Sequence, residues 1–148
     1  MADFQQLDAN LLVTGQINLD DIQTASDAGI KMIICNRPDE EEGDHPRSES
    51  LDALLKTYGI EFRYIPVSPG QITRENVVAT KKAFDDAQGP ILAYCRSGKR
   101  STVMWAVVQA ALDRMTNNEI INKAGSLGHD LNPMAMAFNS VREADLSS

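Results

Sequence analysis

The feature that most restricts the fold of this chain is a short apolar run, Ile91–Tyr94, that leads straight into a basic loop containing a glycine. The loop covers residues 95–100, and a strongly apolar segment with helical character follows from Ser101 to about Arg114. A buried strand, a tight loop and a helix form the unit from which α/β folds are built. We therefore expect the rest of the chain to supply further strands of a sheet.

Three more strands alternate with helical segments before this unit. The strands are predicted at Leu11–Thr14, Met32–Cys35 and residues 62–67, and the helices at residues 19–28, from Ser48 or Ser50 to Tyr58, and at residues 73–87. After the loop only helices are predicted. This order predicts an α/β three-layer sandwich, in which a central, mostly parallel sheet of about four strands carries helices on both faces. We expect one domain over residues 1–148, with residues 1–7 and 143–148 frayed.

Composition argues against several classes of partner. The net charge is −7 and the basic residues are scattered, which argues against nucleic acid and anionic membranes. No apolar run is long enough to span a bilayer, and the polar N-terminus lacks the pattern of a secretory signal. Two cysteines do not make a disulfide framework or a zinc site. We expect a cytoplasmic chain without metal or cofactor, and a homo-oligomer is compatible with the sequence.

Cys95 is the predicted reactive centre because three effects meet at its position. It lies between the end of a strand and the start of a helix, where free backbone amides can bind an anion. The helix dipole and the basic side chains of Arg96, Lys99 and Arg100 also favour the thiolate form. Gly98 allows the backbone to turn its amides inward. The other cysteine, Cys35, lies in an apolar strand and is predicted to be a core residue.

The remaining positions of the cysteine loop (residues 95–101) are assigned by the same reasoning. Arg100 is predicted to stabilise a bound oxyanion as a catalytic residue. Ser101, at the start of the predicted helix, is placed to hydrogen-bond the thiolate or a leaving atom. The predicted anion-binding residues are Arg96, Ser97, Gly98, Lys99 and Ser101. His45 and His129 lack ligand-like spacing and are predicted to lie in surface loops.

Three segments in order resemble one known family: Asn-Arg-Pro-Asp-Glu-Glu at residues 36–41, Tyr-Ile-Pro-Val at 64–67 and Tyr-Cys-Arg-Ser-Gly-Lys-Arg-Ser at 94–101. Over roughly residues 7–112, the chain resembles the phosphatase-like domain family of beta-lactamase-hydrolase-like proteins. That family is related to dual-specificity and tyrosine phosphatases, and some members are regarded as sulfurtransferases. The resemblance implies a cysteine-phosphatase-like fold and a phosphatase-like activity through Cys95.

Two departures from the phosphatase pattern bear on the reaction. Cysteine phosphatases carry Cys-x5-Arg, whereas here Arg100 comes one residue early and Ser101 occupies the arginine position. A six-residue loop that begins Cys-Arg-x-Gly is typical of rhodanese-type sulfurtransferases. The phosphatases also place an aspartate general acid after the strand equivalent to residues 62–67, but residues 68–71 contain no acid.

The acidic loop (residues 36–47) offers a substitute for the missing acid. Asp39 is the first acid after the second strand and is the predicted general acid. Arg37 is predicted to orient that acid or to contact the substrate. The other acids of this loop are interpreted as solvated.

Three functions remain open from the sequence. The leading hypothesis is a cysteine-dependent hydrolase of a small phosphorylated substrate. The alternative is a sulfurtransferase that carries a Cys95 persulfide and takes sulfur from a small donor. The second alternative is a non-catalytic module that binds an anion or a phosphoprotein.

Overall fold

The predicted strands form a single mixed sheet. The computed structural model describes residues 3–144, and its five strands lie in the order β1-β2-β5-β3-β4. The first strand is antiparallel to its neighbour, and the other pairs are parallel. The strands are β1 (Gln5–Asp8), β2 (Leu11–Thr14), β3 (Met32–Cys35), β4 (Glu61–Tyr64) and β5 (Ile91–Tyr94). The α/β sandwich predicted from the alternation is confirmed, with five strands instead of about four.

Helices cover both faces of this sheet. They are α1 (Leu19–Asp27), α2 (Ser48–Thr57), α3 (Arg74–Asp86), α4 (Lys99–Ala111), α5 (Asn117–Ser126) and α6 (Ala135–Glu143), with a 3₁₀ turn at Asn132–Met134. Alternate side chains of β3 and β5 enter two separate cores. Met32 and Ile34 pack on the side of α3 and α4, whereas Ile33 packs on the side of α1 and α2. No helix within residues 3–144 is long and apolar enough to cross a bilayer.

The strand β1 corrects the expectation that residues 1–7 are frayed. Residues 5–7 belong to the sheet, and Leu7 is 1% exposed in the same core as Trp105. The indole of Trp105 donates a hydrogen bond to Asp8 at 3.2 Å. A single apolar residue among polar neighbours has no period-two pattern, so the pairing depends on tertiary contacts. Of the residues expected to be frayed, residues 1–2 and 145–148 lie outside the described part of the chain.

Two element boundaries also differ from the prediction. The strand β4 ends at Tyr64, earlier than residue 67, because Pro66 has no amide hydrogen for the ladder. The helix α4 begins at Lys99, two residues before Ser101, because Gly98 adopts a left-handed φ of 92° and serves as the N-cap. The second half of the cysteine loop is therefore the first turn of α4.

The topology places the cysteine loop and the acidic loop side by side. The parallel strands β3 and β5 pair so that Cys35 lies opposite Tyr94. The amide of Asn36 donates to the carbonyl of Tyr94 at 2.8 Å, one residue before Cys95. Ligands of α/β sheets bind at this carboxyl edge.

Candidate active site

Cys95 lies at the base of the cysteine loop, and its sulfur is held by the backbone. Its side chain is fully buried, and the amide of Gly98 donates a hydrogen bond to Sγ at 3.1 Å. This contact spans the turn between β5 and the first residue of α4. The sulfur therefore lies at a helix N-terminus, where backbone donors and the helix dipole favour negative charge.

The loop between β2 and α1 packs against the backbone of the cysteine loop. The amide of Gln16 donates to the carbonyl of Arg96 at 3.2 Å. A Cβ atom on Gly15 would lie 3.0 Å from that carbonyl, and one on Gly98 would lie 3.3 Å from the backbone of Thr14. The two loops thus approach so closely that glycine is needed on both sides.

Three of the predicted anion-binding side chains are exposed, and one is buried. The side chains of Arg96, Ser97 and Lys99 are exposed at the rim of the loop. The hydroxyl of Ser101 is buried and donates to Oδ1 of Asn36 at 2.8 Å. We predicted that this hydroxyl donates a hydrogen bond to the thiolate or to a leaving atom. In this structure it donates to the side-chain oxygen of Asn36 instead.

Arg100 is held by the acidic loop. Its Nη1 and Nη2 atoms donate to the two carboxylate oxygens of Glu41, both at 2.8 Å, and Nη1 also donates to the carbonyl of Val67 at 2.9 Å. The hydrogen bonds to Glu41 raise the pKa of Arg100, and the same bonds hold the pKa of Glu41 below its ordinary value. The guanidinium is therefore fixed and charged next to Cys95.

Arg37 is the second cation that Glu41 contacts. Its side chain is buried, with Nε 3.2 Å from a carboxylate oxygen of Glu41. Its Nη1 donates to Oε1 of Gln16 at 3.0 Å, and its Nη2 donates to the carbonyl of Glu42. Glu41 thus lies between two arginines, and Arg37 supports this carboxylate. We predicted that Arg37 orients Asp39 or contacts the substrate. In this structure its hydrogen bonds and its ion pair are with Gln16, Glu42 and Glu41.

Asp39 is bound to the start of α2. Its two carboxylate oxygens accept hydrogen bonds from the amide and the hydroxyl of Ser48, at 2.8 and 2.6 Å. Partial burial raises the pKa of Asp39, but the two bonds from Ser48 outweigh it, so the pKa lies below its ordinary value of 3.8. The carboxylate therefore satisfies the free amide of the first residue of α2.

Two residues of the site were missed from the sequence. Glu41 is among the acids predicted to be solvated, and the sequence predicts no role for the side chain of Asn36. The Asn36 amide nitrogen donates to the carbonyl of Ile65 at 2.8 Å, while its oxygen accepts from Ser101. Asn36, which follows β3, therefore connects the segment after β4 with the first turn of α4. Both missed residues lie in the motif at residues 36–41, and Glu41 comes four residues after Arg37. These two facts were the signal available in the sequence.

Cys35 lies near the site but belongs to the core, as predicted. It is buried, it donates to the carbonyl of Arg37 at 3.3 Å, and burial raises the pKa of its thiol. His45 and His129 are half-buried in loops. Within residues 3–144, no three His, Cys, Asp or Glu side chains are grouped so that they could hold a metal ion.

A cavity of about 440 Å³ opens beside the cysteine loop. It extends from the exposed faces of Arg96 and Lys99 to residues that follow β4 and to the 3₁₀ turn at Asn132–Met134. The cavity thus shares Arg96, Ser97, Lys99 and Arg100 with the cysteine loop. The site combines a buried sulfur, backbone donors, a fixed guanidinium and an adjoining cavity.

Sequence comparison places these features in a known group. The model of the beta-lactamase hydrolase-like protein, phosphatase-like domain, matches residues 3–112. A beta-lactamase hydrolase-like protein of Xylella fastidiosa is 28% identical over 125 residues, which is 84% of this chain. The similarity covers 29% of that relative, so this chain spans about three tenths of the length of the curated relatives that it matches.

Solved structures agree with this result. A candidate phosphatase from Neisseria meningitidis superposes with a TM-score of 0.81 at 33% identity and covers 93% of this chain and 96% of its own. The catalytic domain of the yeast PP-IP phosphatase Siw14 superposes with a TM-score of 0.69 at 17% identity, over 98% and 86%, which shows a shared fold. This chain therefore belongs to the family of beta-lactamase hydrolase-like protein, phosphatase-like domains.

Proposed function

We propose that this chain is a cysteine-dependent, phosphatase-like hydrolase of phosphate monoesters with Cys95 as the nucleophile. The observation that carries the proposal is the 3.1 Å hydrogen bond from the Gly98 amide to Cys95 Sγ at the start of α4. Membership of a phosphatase-like family supports the reaction class. A thiolate at a helix N-terminus can attack phosphorus while the backbone amides of the loop bind the oxygens of the phosphoryl group.

The reaction proceeds in two displacements. The Cys95 thiolate attacks phosphorus, an S–P bond forms, and the P–O bond to the leaving group breaks with its electron pair on the leaving oxygen. Water then attacks the cysteinyl-phosphate, the S–P bond breaks, and inorganic phosphate leaves with the thiolate restored. The amides of the cysteine loop stabilise the equatorial oxygens in both steps.

Arg100 has donors left for a bound oxyanion. An arginine has five N–H groups, and Glu41 and Val67 occupy both hydrogens on Nη1 and one on Nη2. The Nε hydrogen and one Nη2 hydrogen are not used by these contacts. Glu41 is accordingly a positioning residue, because it fixes one edge of the guanidinium so that the other edge can bind the phosphoryl oxygens.

Protonation of the leaving group limits the choice of ester. Asp39 and Glu41 both have lowered pKa values and are ionised at neutral pH. Neither carboxyl therefore carries a proton to give in this structure. We expect rapid turnover only for esters whose leaving group is stable as an anion, such as aryl phosphates.

One observation favours a sulfurtransferase as the second candidate. Sulfur transfer does not require an acid for an alkoxide, which suits a site whose nearby carboxyls are ionised and whose arginine comes after four intervening residues. In this reaction the Cys95 thiolate attacks the outer sulfur of thiosulfate, the S–S bond breaks and sulfite leaves. An acceptor thiolate then removes the sulfur from the Cys95 persulfide.

The two reactions are separated by comparing kcat/KM for an aryl phosphate with kcat/KM for thiosulfate or glutathione persulfide. The proposal predicts hydrolysis of the aryl phosphate, with the ester as the preferred substrate. A tenfold or larger preference for the sulfur donor, about 1.4 kcal/mol of transition-state free energy, would replace the phosphatase by the sulfurtransferase. Turnover of neither substrate, with Cys95 still protected from alkylation by phosphate, would favour the binding module.

A further inference from the structure

A second cavity lies at the edge of the sheet opposite to the cysteine loop. Its volume is about 150 Å³, and it is lined by Leu11 and Ile91, the first residues of β2 and β5, whereas Cys95 follows the last residue of β5. The buried ring of Trp105 and the half-buried ring of Phe84 also line it. A cavity of this size holds a molecule about as large as benzene. The second cavity therefore suits a small ligand with an apolar part.

One buried polar side chain of the second cavity has no partner. Gln109 of α4 is 6% exposed and lines the cavity, and its side-chain amide has no hydrogen bond to any residue between 3 and 144. An amide that is removed from water without a hydrogen bond costs free energy, so a ligand that bonds to it recovers that cost. The amide offers both donors and an acceptor. Gln109 therefore indicates a ligand with hydrogen-bonding groups of its own.

Two opposite charges lie at the mouth of the second cavity. Both Asp8 and Arg114 are exposed residues that line it. The Asp8 carboxylate is held in place, because it accepts hydrogen bonds from the indole of Trp105 at 3.2 Å and from the amide of Ala9 at 2.7 Å. The Arg114 guanidinium, unlike that of Arg100, has no ion pair within the described part of the chain. Since the two charges are not paired with each other there, both are available to a ligand that carries both signs.

We propose that the second cavity binds a small α-amino acid with an uncharged side chain, in its zwitterionic form. The carboxylate of the ligand pairs with Arg114, its ammonium group pairs with Asp8, and Gln109 contributes a further hydrogen bond. A short apolar side chain then lies against Trp105 and Phe84, where it is removed from water. This site is separate from the cysteine loop and does not depend on the proposed hydrolase reaction.

The chain carries its own reporter for this site, since Trp105 is its only tryptophan. The probe is L-valine, and a saturable change in tryptophan fluorescence is expected. Isothermal titration calorimetry on the same samples detects any binding that leaves the fluorescence unchanged. Two further compounds each lack one charge of valine: isovalerate lacks the ammonium group, and isobutylamine lacks the carboxylate. Each is expected to bind at least roughly tenfold more weakly than valine, because one charge-assisted contact is lost.

Variants connect this binding to the second cavity. Arg114→Gln changes an exposed side chain and is expected to raise the Kd for valine roughly tenfold. The matched control is Lys123→Gln, because Lys123 lines a neighbouring cavity beside Asp8 and Trp105 but not this one, and its Kd should equal that of the wild-type chain. Gln109→Leu should weaken valine binding without lowering the Tm, because an apolar side chain replaces an unbonded amide.

All titrations are repeated with saturating phosphate, which should leave the Kd for valine unchanged because phosphate is expected in the cysteine loop. Four results would overturn the inference: no binding of valine by either method, equal binding of valine and isovalerate, an unchanged Kd in Arg114→Gln, and competition between valine and phosphate. Failure of the proposed function has a different signature. If no phosphate ester is hydrolysed but valine binds as described, the hydrolase proposal fails and the amino-acid site stands.

Discussion

The cysteine loop and the acidic loop follow neighbouring parallel strands, yet they use their residues in opposite ways. In the cysteine loop, the backbone contacts the sulfur, and the side chains of Arg96 and Lys99 point outward. In the acidic loop, the side chains of Arg37 and Glu41 turn inward, so that Arg37 is 4% exposed and Glu41 contacts two guanidinium groups. One loop forms the proposed anion site, and the other fixes Arg100 beside it.

This difference shows where function can be inferred from local sequence. A strand, a glycine and a helix start are sufficient to place backbone donors around a cysteine. The direction of an acidic side chain depends instead on which cation lies on the adjacent loop. In this chain that cation, Arg100, is 59 residues away from Glu41 along the sequence.

The largest expected effect comes from the cysteine loop. Cys95→Ser removes the nucleophile and should lower kcat for an aryl phosphate by roughly 10³-fold or more. Cys35→Ser is the matched control, because it changes the neighbouring thiol without touching the nucleophile, and it should alter thermal stability far more than kcat. An active Cys95→Ser variant would show that another residue attacks phosphorus.

The next effect concerns the arginine that the two loops share. Arg100→Ala removes a charge-assisted contact and should weaken competitive inhibition by phosphate or vanadate by about 1.5–3 kcal/mol. Lys99→Ala, at the exposed rim, should change inhibition by less than about 1 kcal/mol. Equal inhibition constants for the wild-type chain and Arg100→Ala would exclude this arginine from the anion site.

A comparison within the acidic loop separates Glu41 from its solvated neighbour. Glu41→Gln leaves partly buried guanidinium donors without a carboxylate, so the free energy of unfolding should fall by about 1–3 kcal/mol and kcat/KM should fall as well. Glu40→Gln changes an exposed side chain and should alter stability by less than about 0.5 kcal/mol. If both variants behave alike in urea unfolding and in kcat/KM, Glu41 does not position Arg100.

The smallest expected effect distinguishes a helix cap from a general acid. Asp39→Asn should cost about 1 kcal/mol of stability, because α2 loses its carboxylate cap. It should slow aryl and alkyl phosphates by similar factors. A much larger loss for the alkyl ester, whose leaving group needs a proton, would restore Asp39 as the acid.

Acid unfolding gives an independent check on the same two carboxylates. The pKa values of Asp39 and Glu41 are lowered in the folded chain from ordinary values of 3.8 and 4.5. Their stabilisation is therefore present above those ordinary values and is lost as the pH falls through the folded-state pKa values. The stability of the wild-type chain should decrease between about pH 5 and pH 3, and more steeply than that of Asp39→Asn or Glu41→Gln. Parallel curves would contradict these pKa directions.

Much of the fold followed from periodicity. Met32–Cys35 and Ile91–Tyr94 are strands at the predicted residues, since continuous apolar runs are typical of strands buried on both faces. The strand β1 was not predicted, because Leu7 is its only buried residue. The start of α4 was placed two residues late, because a left-handed glycine N-cap is not distinguished by sequence from a glycine in a loop.

The site could be predicted only in part for a related reason. The place of Cys95 follows from its neighbours along the chain. The positions of Asn36 and Glu41 depend on contacts with Ser101 and Arg100 across the sheet edge. Asp39 was chosen as the acid by proximity in sequence, whereas its geometry is governed by the free amide of Ser48 at the start of α2.

The central claim, that Cys95 carries the covalent intermediate, is tested most directly by mass spectrometry of the acid-quenched protein after brief exposure to an aryl phosphate. We expect a gain of one phosphoryl group that maps to the peptide containing Cys95 and that is absent from Cys95→Ser. A parallel exposure to thiosulfate would give one added sulfur atom on Cys95 if the chain is a sulfurtransferase. Ester hydrolysis that continues while Cys95 stays unmodified in every quenched sample would contradict the account.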